Sequence, residues 1–121
     1  MTAPAVAPPQ QVQLIIRGVP TLLANRTFGF SLEYDDMFAT DPLIVRPVLV
    51  ANGQQVGAAG MAVDAGLDRE SGSVTLAPRS KASIGMLLLR EDCDKARLVI
   101  LDPNTDAVLG QSEEIVVKLG V

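Results

Sequence analysis

The hydrophobic positions of this chain fall in short alternating or continuous runs, as in β-strands. In residues 26–34 every second position, from Phe28 to Tyr34, is aromatic or apolar, which is typical of a strand that buries one face. Residues 43–51 are apolar on both faces and lead into Asn52-Gly53, a strong hairpin signal. Residues 84–119 hold four apolar runs that are bounded by turn residues and are too short for helices. The pattern predicts an all-β chain.

The turn signals recur at the spacing of sandwiches and barrels and predict about seven to nine strands. We therefore predict an antiparallel β-sandwich with Greek-key connections, similar in architecture to immunoglobulin-like domains. The Cys, Trp and Cys hallmark of true immunoglobulin domains is missing, because the chain has one cysteine and no tryptophan.

Three local expectations complete the prediction of the fold. Gly18 and Pro20 are expected to end the first strand, and residues 110–113 are expected to form a turn before the last strand. In the connection after Tyr34, Met37 and Phe38 are expected to tuck under the sheet.

The chain divides into a short arm and one domain. Residues 1–10 hold three of the eight prolines among small residues, a composition that favours an extended arm without a core. Residues 11–121 are long enough for one β-sandwich domain with its own core.

Composition limits the chemistry. The absence of histidine excludes a Ser-His-Asp triad, a Cys-His dyad and a His-bearing zinc site within this chain. Cys93, the single thiol, stands between Asp92 and Asp94, whose charges disfavour a reactive thiolate. We expect no enzyme activity and no cofactor.

The charge pattern also limits the partners. The net charge is −4, and the lysines and arginines are scattered, so we expect no nucleic-acid or membrane partner. No signal peptide or transmembrane run is visible, which predicts a soluble chain in the cytoplasm or in a virion.

Acidic residues cluster at the predicted strand ends. The spacing of Asp102, Asn104 and Asp106 imitates the start of a calcium loop, but Ala107 stands where such a loop needs glycine. Similar sets occur in residues 35–41 and 91–94. They leave open a ligand-binding or adhesion module that uses acidic loop ends, in a calcium-dependent form or without calcium.

The first functional hypothesis is a non-enzymatic structural or adaptor protein in a larger assembly, such as a virion coat or decoration component. A protein partner or a homo-oligomer is expected, and no small-molecule substrate is identified. The contacts are assigned to the arm and to edge strands in residues 43–63, where small residues allow close approach. The assigned residues are Pro4, Pro8, Pro9, Pro47, Gly57 and Gly60.

Overall fold

The computed structural model describes residues 14–22, 27–90 and 94–116. In these residues the regular structure consists of nine β-strands and no helix. The all-β prediction is confirmed. The strands are β1 (Leu14–Leu22), β2 (Thr27–Tyr34), β3 (Leu43–Ala51), β4 (Gln54–Val63), β5 (Gly66–Asp68), β6 (Ser73–Leu76), β7 (Lys81–Leu88), β8 (Lys95–Leu101) and β9 (Val108–Val116).

The strands form one curled antiparallel sheet. The hydrogen-bonded order runs β1-β2-β7-β4-β3, and from β3 the sheet continues both into β8-β9 and into β6-β5. β1 and β9 lie beside each other, so the sheet wraps around one core as a half-barrel. This curl leaves one face of β4 and β7 turned away from the core.

Residues 43–63 do not lie at an edge, and that prediction is wrong. β3 pairs with β4, β6 and β8, and β4 pairs with β3 and β7. Pro47 is opposite Ile100 of β8 and stands between the stretches of β3 that pair with β6 and with β4. Its missing amide proton therefore removes no hydrogen bond from either of those two ladders.

The alternation predicted for β2 is confirmed. Phe28, Phe30, Leu32 and Tyr34 are each 8% exposed or less. They pack with buried aliphatic side chains of the other strands, and full burial of such a side chain contributes about 1.5–3 kcal/mol. The partners in this core include Leu49, Leu76, Ile84, Met86, Leu98, Ile100 and Ile115.

Two predicted turns are also confirmed. Asn52 and Gly53 have φ angles of 52° and 76°, as the two central residues of a type I′ hairpin require. In the turn after β8, Asp102 Oδ1 accepts hydrogen bonds from the Asn104 amide at 2.8 Å and the Thr105 amide at 3.4 Å. This is the local backbone bonding expected of aspartate in turns.

Three boundaries differ from the prediction. β1 continues past Gly18 and Pro20 with a register irregularity between Arg17 and Thr21. It tolerates proline because, among the described strands, it pairs only with β2. β9 runs through residues 110–113 without a turn, and residues 66–68 form a strand within residues 64–73, whose two glycines and polar side chains predict a loop.

Candidate protein-contact surface

Four exposed apolar side chains lie on the outer face of β4 and β7, opposite the core, and at the residue that follows β7. They are Met61, Val63, Leu87 and Leu89, which are 53%, 52%, 47% and 62% exposed. We call this set the apolar strip. The Leu89 amide donates to the Val56 carbonyl at 2.7 Å, so the pairing with β4 extends just beyond β7.

The register places the strip on adjacent strands. Met61 is opposite Gly85, and Val63 is opposite Ser83. Because cross-strand partners share a face, the β7 positions 83, 85 and 87 line the same surface as Met61 and Val63. Met61, Val63 and Leu87 therefore lie on one continuous surface, and Leu89 follows at its end, opposite Val56.

Glycines allow two of these side chains to lie flat on the sheet. A Cβ at Gly60 would be 2.6 Å from Leu87 Cδ1, and a Cβ at Gly85 would be 3.1 Å from Met61 Cε. On β2, Gly29 lies opposite Gly85. The space over Gly60 and Gly85 is therefore filled by Leu87 and Met61 of the same chain.

Charges stand at the ends of the strip. Residues 57–63 and 82–89 contain no charged side chain. Lys81 begins β7, where it is opposite Glu33 of β2, and Arg90 follows Leu89. Both cations are exposed. The strip is thus uncharged along its length, with Glu33, Asp64 and Lys81 at one end and Arg90 at the other.

A second apolar feature protrudes from the loop between β2 and β3. Met37 and Phe38 are 72% and 84% exposed. We call this pair the apolar tip. The expectation that these side chains tuck under the sheet is wrong, because their loop is bound through its backbone and leaves both side chains outside.

Hydrogen bonds on several sides fix the loop that carries the tip. Asp36 Oδ1 accepts from the Phe38 amide at 3.0 Å, and the Asp36 carbonyl accepts from the Ala39 amide at 3.2 Å. Arg79 Nη1 donates to the Met37 carbonyl at 3.4 Å and to the Ala39 carbonyl at 3.0 Å. At the base of the loop, the Tyr34 hydroxyl donates to the Asp41 carbonyl at 3.5 Å. The tip is therefore presented in a defined position.

The residues assigned to partner contacts from sequence lie in different places. Pro4, Pro8 and Pro9 lie outside the described residues. Pro47 and Gly57 are buried, and a Cβ at Gly57 would be 2.7 Å from Leu49 Cδ1. Gly60 is half-buried beneath Leu87. Of the described residues in this set, Gly60 adjoins the strip.

The acidic turn after β8 is engaged within the protein. Asp102 binds backbone amides, and Asp106 Oδ1 lies 2.6 Å from Arg46 Nη2. Among the described residues, no group of three or more acidic or cysteine side chains is placed to hold a metal ion. Glu91, Asp92 and Cys93 lie outside the described part of the chain.

An open depression of about 620 Å³ lies between the β3–β4 turn and strands β8 and β9. Its charged lining residues are Asp94, Lys95, Arg97 and Glu114. The depression is a groove of mixed charge.

Comparisons with family models, curated proteins and solved structures find no match for this chain. In the part of the chain that the structure describes, no helix is long and apolar enough to cross a membrane.

Sequence reasoning missed both the strip and the tip, although a signal for the strip was present. The outward positions of β7 carry serine, glycine and leucine, where an exposed strand face normally shows charged or polar residues. This signal could not be recognised from sequence, because the residues of β7 that face outward are known only once β2 and β4 are placed beside it.

Proposed function

We propose that this chain is a non-enzymatic structural or adaptor protein that assembles with copies of itself through the apolar strip. The observation that carries the proposal is the strip, in which Met61, Val63, Leu87 and Leu89 are exposed side by side. Contiguous apolar surface of this kind marks interaction sites. A sheet face without charged side chains along its length suits a partner that is also a folded surface.

The kind of assembly and its location are part of this proposal. A repeated contact between identical copies is what a coat or decoration layer requires, and a virion or cytoplasmic location is compatible with it. Residues 1–10 are proposed as an additional contact, since their proline-rich composition favours extended binding to another surface.

The finer fold is proposed as the two-layered Greek-key arrangement of an immunoglobulin-like sandwich. Support comes from a core to which both β2 and β8 contribute. An experimental structure with two facing layers roughly 10 Å apart would support the sandwich. Continuous hydrogen bonding between β1 and β9 would instead make the fold a closed barrel.

The test of the function is native mass in solution, measured by light scattering over a range of concentrations. We expect the full chain to associate, and Leu87→Lys to remain monomeric because it places a charge in the strip. Val108→Lys is the matched control, since Val108 is 58% exposed on β9, away from the strip. A monomeric wild type, or equal effects of the two lysines, would refute assembly through the strip.

Removal of residues 1–10 tests the arm separately. We expect weaker association with an unchanged melting temperature, because the arm contacts the neighbouring copy and not its own core. Association unchanged by this deletion would remove the arm from the proposal and leave the strip in it.

A further inference from the structure

We infer that Asn52 is a site of spontaneous deamidation, and that its isoaspartate product disrupts the turn between β3 and β4. Asn52 is the one asparagine of the chain that is followed by glycine. Glycine has no side chain to shield its own backbone nitrogen, which is the atom that attacks the asparagine side chain in this reaction. The other asparagines, at positions 25 and 104, are followed by Arg26 and Thr105.

The reaction needs only these two residues and water. The Gly53 nitrogen loses its proton to a base in the solvent and attacks Asn52 Cγ. A bond from this nitrogen to Cγ forms, the bond from Cγ to Nδ2 breaks, and ammonia leaves. Water then opens the resulting succinimide ring. Cleavage at Cγ gives aspartate, whereas cleavage at the backbone carbonyl carbon of residue 52 gives isoaspartate, whose main chain is one carbon longer.

The turn leaves both reacting groups accessible. Asn52 and Gly53 are exposed, and no atom lies within 4 Å of the position of a Cβ at Gly53. Among the described residues, no hydrogen bond involves the Asn52 side chain or the Gly53 amide. In the exposed turn after β8, by contrast, the Thr105 amide that would have to attack Asn104 donates to Asp102 Oδ1 at 3.4 Å. Asn104 is therefore a matched control within the same chain.

The end of the hairpin is held by few cross-strand pairs. Ring closure requires the ψ angle of Asn52 to leave its value in the type I′ turn, so this end of the hairpin must open briefly. Residues 54–55 pair with residues 50–51, and the register between β3 and β4 shifts just beyond these two pairs. The pairing of β4 with β7 begins only at Gly57, and the exposed Arg90 side chain adds one hydrogen bond to the segment. Local opening therefore leaves the rest of the sheet intact.

The isoaspartate product does not fit this turn. A type I′ turn joins its strands through two central residues of fixed conformation, and an additional main-chain carbon changes their spacing. Aspartate, the other product, tolerates positive φ as asparagine does. Either product makes the net charge of −4 more negative and places a carboxylate in the depression that Asn52 lines together with Asp94 and Lys95. Deamidation thus changes both the hairpin and the charge of the depression.

The test is incubation of the folded full-length protein at mildly alkaline pH, followed by mass spectrometry of its peptides. Digestion at acidic pH prevents deamidation during the digestion itself. We expect Asn52 to convert about tenfold faster than Asn104 or more, because its attacking nitrogen is unshielded. Equal rates at the two asparagines would overturn the inference. So would an Asn52 that stays intact in the folded protein while it converts in the urea-unfolded chain.

Gly53→Ala separates the access of the nitrogen from the strength of the turn. Alanine strains the turn but shields the nitrogen, so conversion at Asn52 should become slower, and faster conversion would contradict attack by an unshielded nitrogen. Asn52→Asp adds the charge without the longer main chain. We expect it to unfold at the same urea concentration as fresh wild type, and the isoaspartate form, isolated by ion exchange, to unfold at a lower one. Equal midpoints for all three would refute the disruption of the turn.

Discussion

The side chain of Leu87 lies directly over Gly60, so close that a Cβ at residue 60 would be 2.6 Å from Leu87 Cδ1. The contact joins adjacent strands on the outer face. A glycine of the same strand, Gly57, faces the core instead, where a Cβ would be 2.7 Å from Leu49 Cδ1 and 2.8 Å from the Leu87 carbonyl oxygen. The two glycines therefore have different structural roles.

Gly57→Ala should destabilise the fold by about 1–3 kcal/mol, because the added methyl group meets both a core side chain and a backbone carbonyl. Gly60→Ala is the comparison, since the exposed Leu87 side chain can rotate away, and its cost should stay below about 1 kcal/mol. Urea unfolding of both variants measures the difference. Equal losses would show that Leu87 is held as firmly as Leu49.

Gly53→Ala should destabilise the β3–β4 hairpin by about 1–2 kcal/mol through backbone strain alone. Gly53 has a φ of 76°, and no atom lies within 4 Å of the position of an added Cβ. Gly66→Ala serves as the control, because its Cβ would make only an ordinary contact with Thr75, at 3.8 Å. Chemical denaturation should separate the two variants, and a neutral Gly53→Ala would contradict the type I′ assignment.

Asp106→Asn should lower the free energy of unfolding by about 0.2–1 kcal/mol, because the lost ion pair with Arg46 is solvent-exposed. The Asp106 side chain is 70% exposed, so the effect should shrink further in high salt. Asp106→Ala should cost more, since residue 106 has a φ of 59°, which asparagine tolerates and alanine does not. Urea unfolding at two salt concentrations tests both statements, and identical values for the two variants would contradict the role of the backbone.

Arg79→Asn should loosen the apolar tip without unfolding the domain. Residue 79 has a φ of 57°, and asparagine keeps this conformation accessible while removing the guanidinium that binds the Met37 and Ala39 carbonyls. We expect faster hydrogen exchange at the Phe38 and Ala39 amides and a melting temperature close to that of the wild type. Exchange rates that match those of the wild type would show that the Asp36 turn fixes the tip by itself.

Local parts of the fold could be predicted because local chemistry determines them. Apolar and polar side chains alternate from Phe28 to Tyr34, and in a half-buried strand this pattern determines which residues face the core. Asn52-Gly53 likewise specifies its turn through the φ angles that those residues tolerate. The order of strands was not available from such patterns, since β2 pairs with β7, far along the chain, and not with β3.

The same limit explains the turn wrongly predicted in β9. Gly110 and the polar residues after it resemble a turn when only the sequence is considered. In the structure, Ser112 Oγ accepts a hydrogen bond from the Leu98 amide at 3.0 Å, within the stretch where the register between β8 and β9 shifts. A polar side chain thus satisfies a backbone donor within a strand, which the sequence pattern alone does not show.

The pairing of β2 with β7 also bears on how the protein is made. β2 carries the aromatic part of the core, and Phe30 pairs with Ile84, a residue that leaves the ribosome much later. Until β7 emerges, the hairpin of β1 and β2 has no neighbour to cover its apolar face. Long-range pairing of this kind slows folding and prolongs exposure to aggregation. We therefore expect the apolar face of β2 to stay exposed during synthesis until β7 has been made.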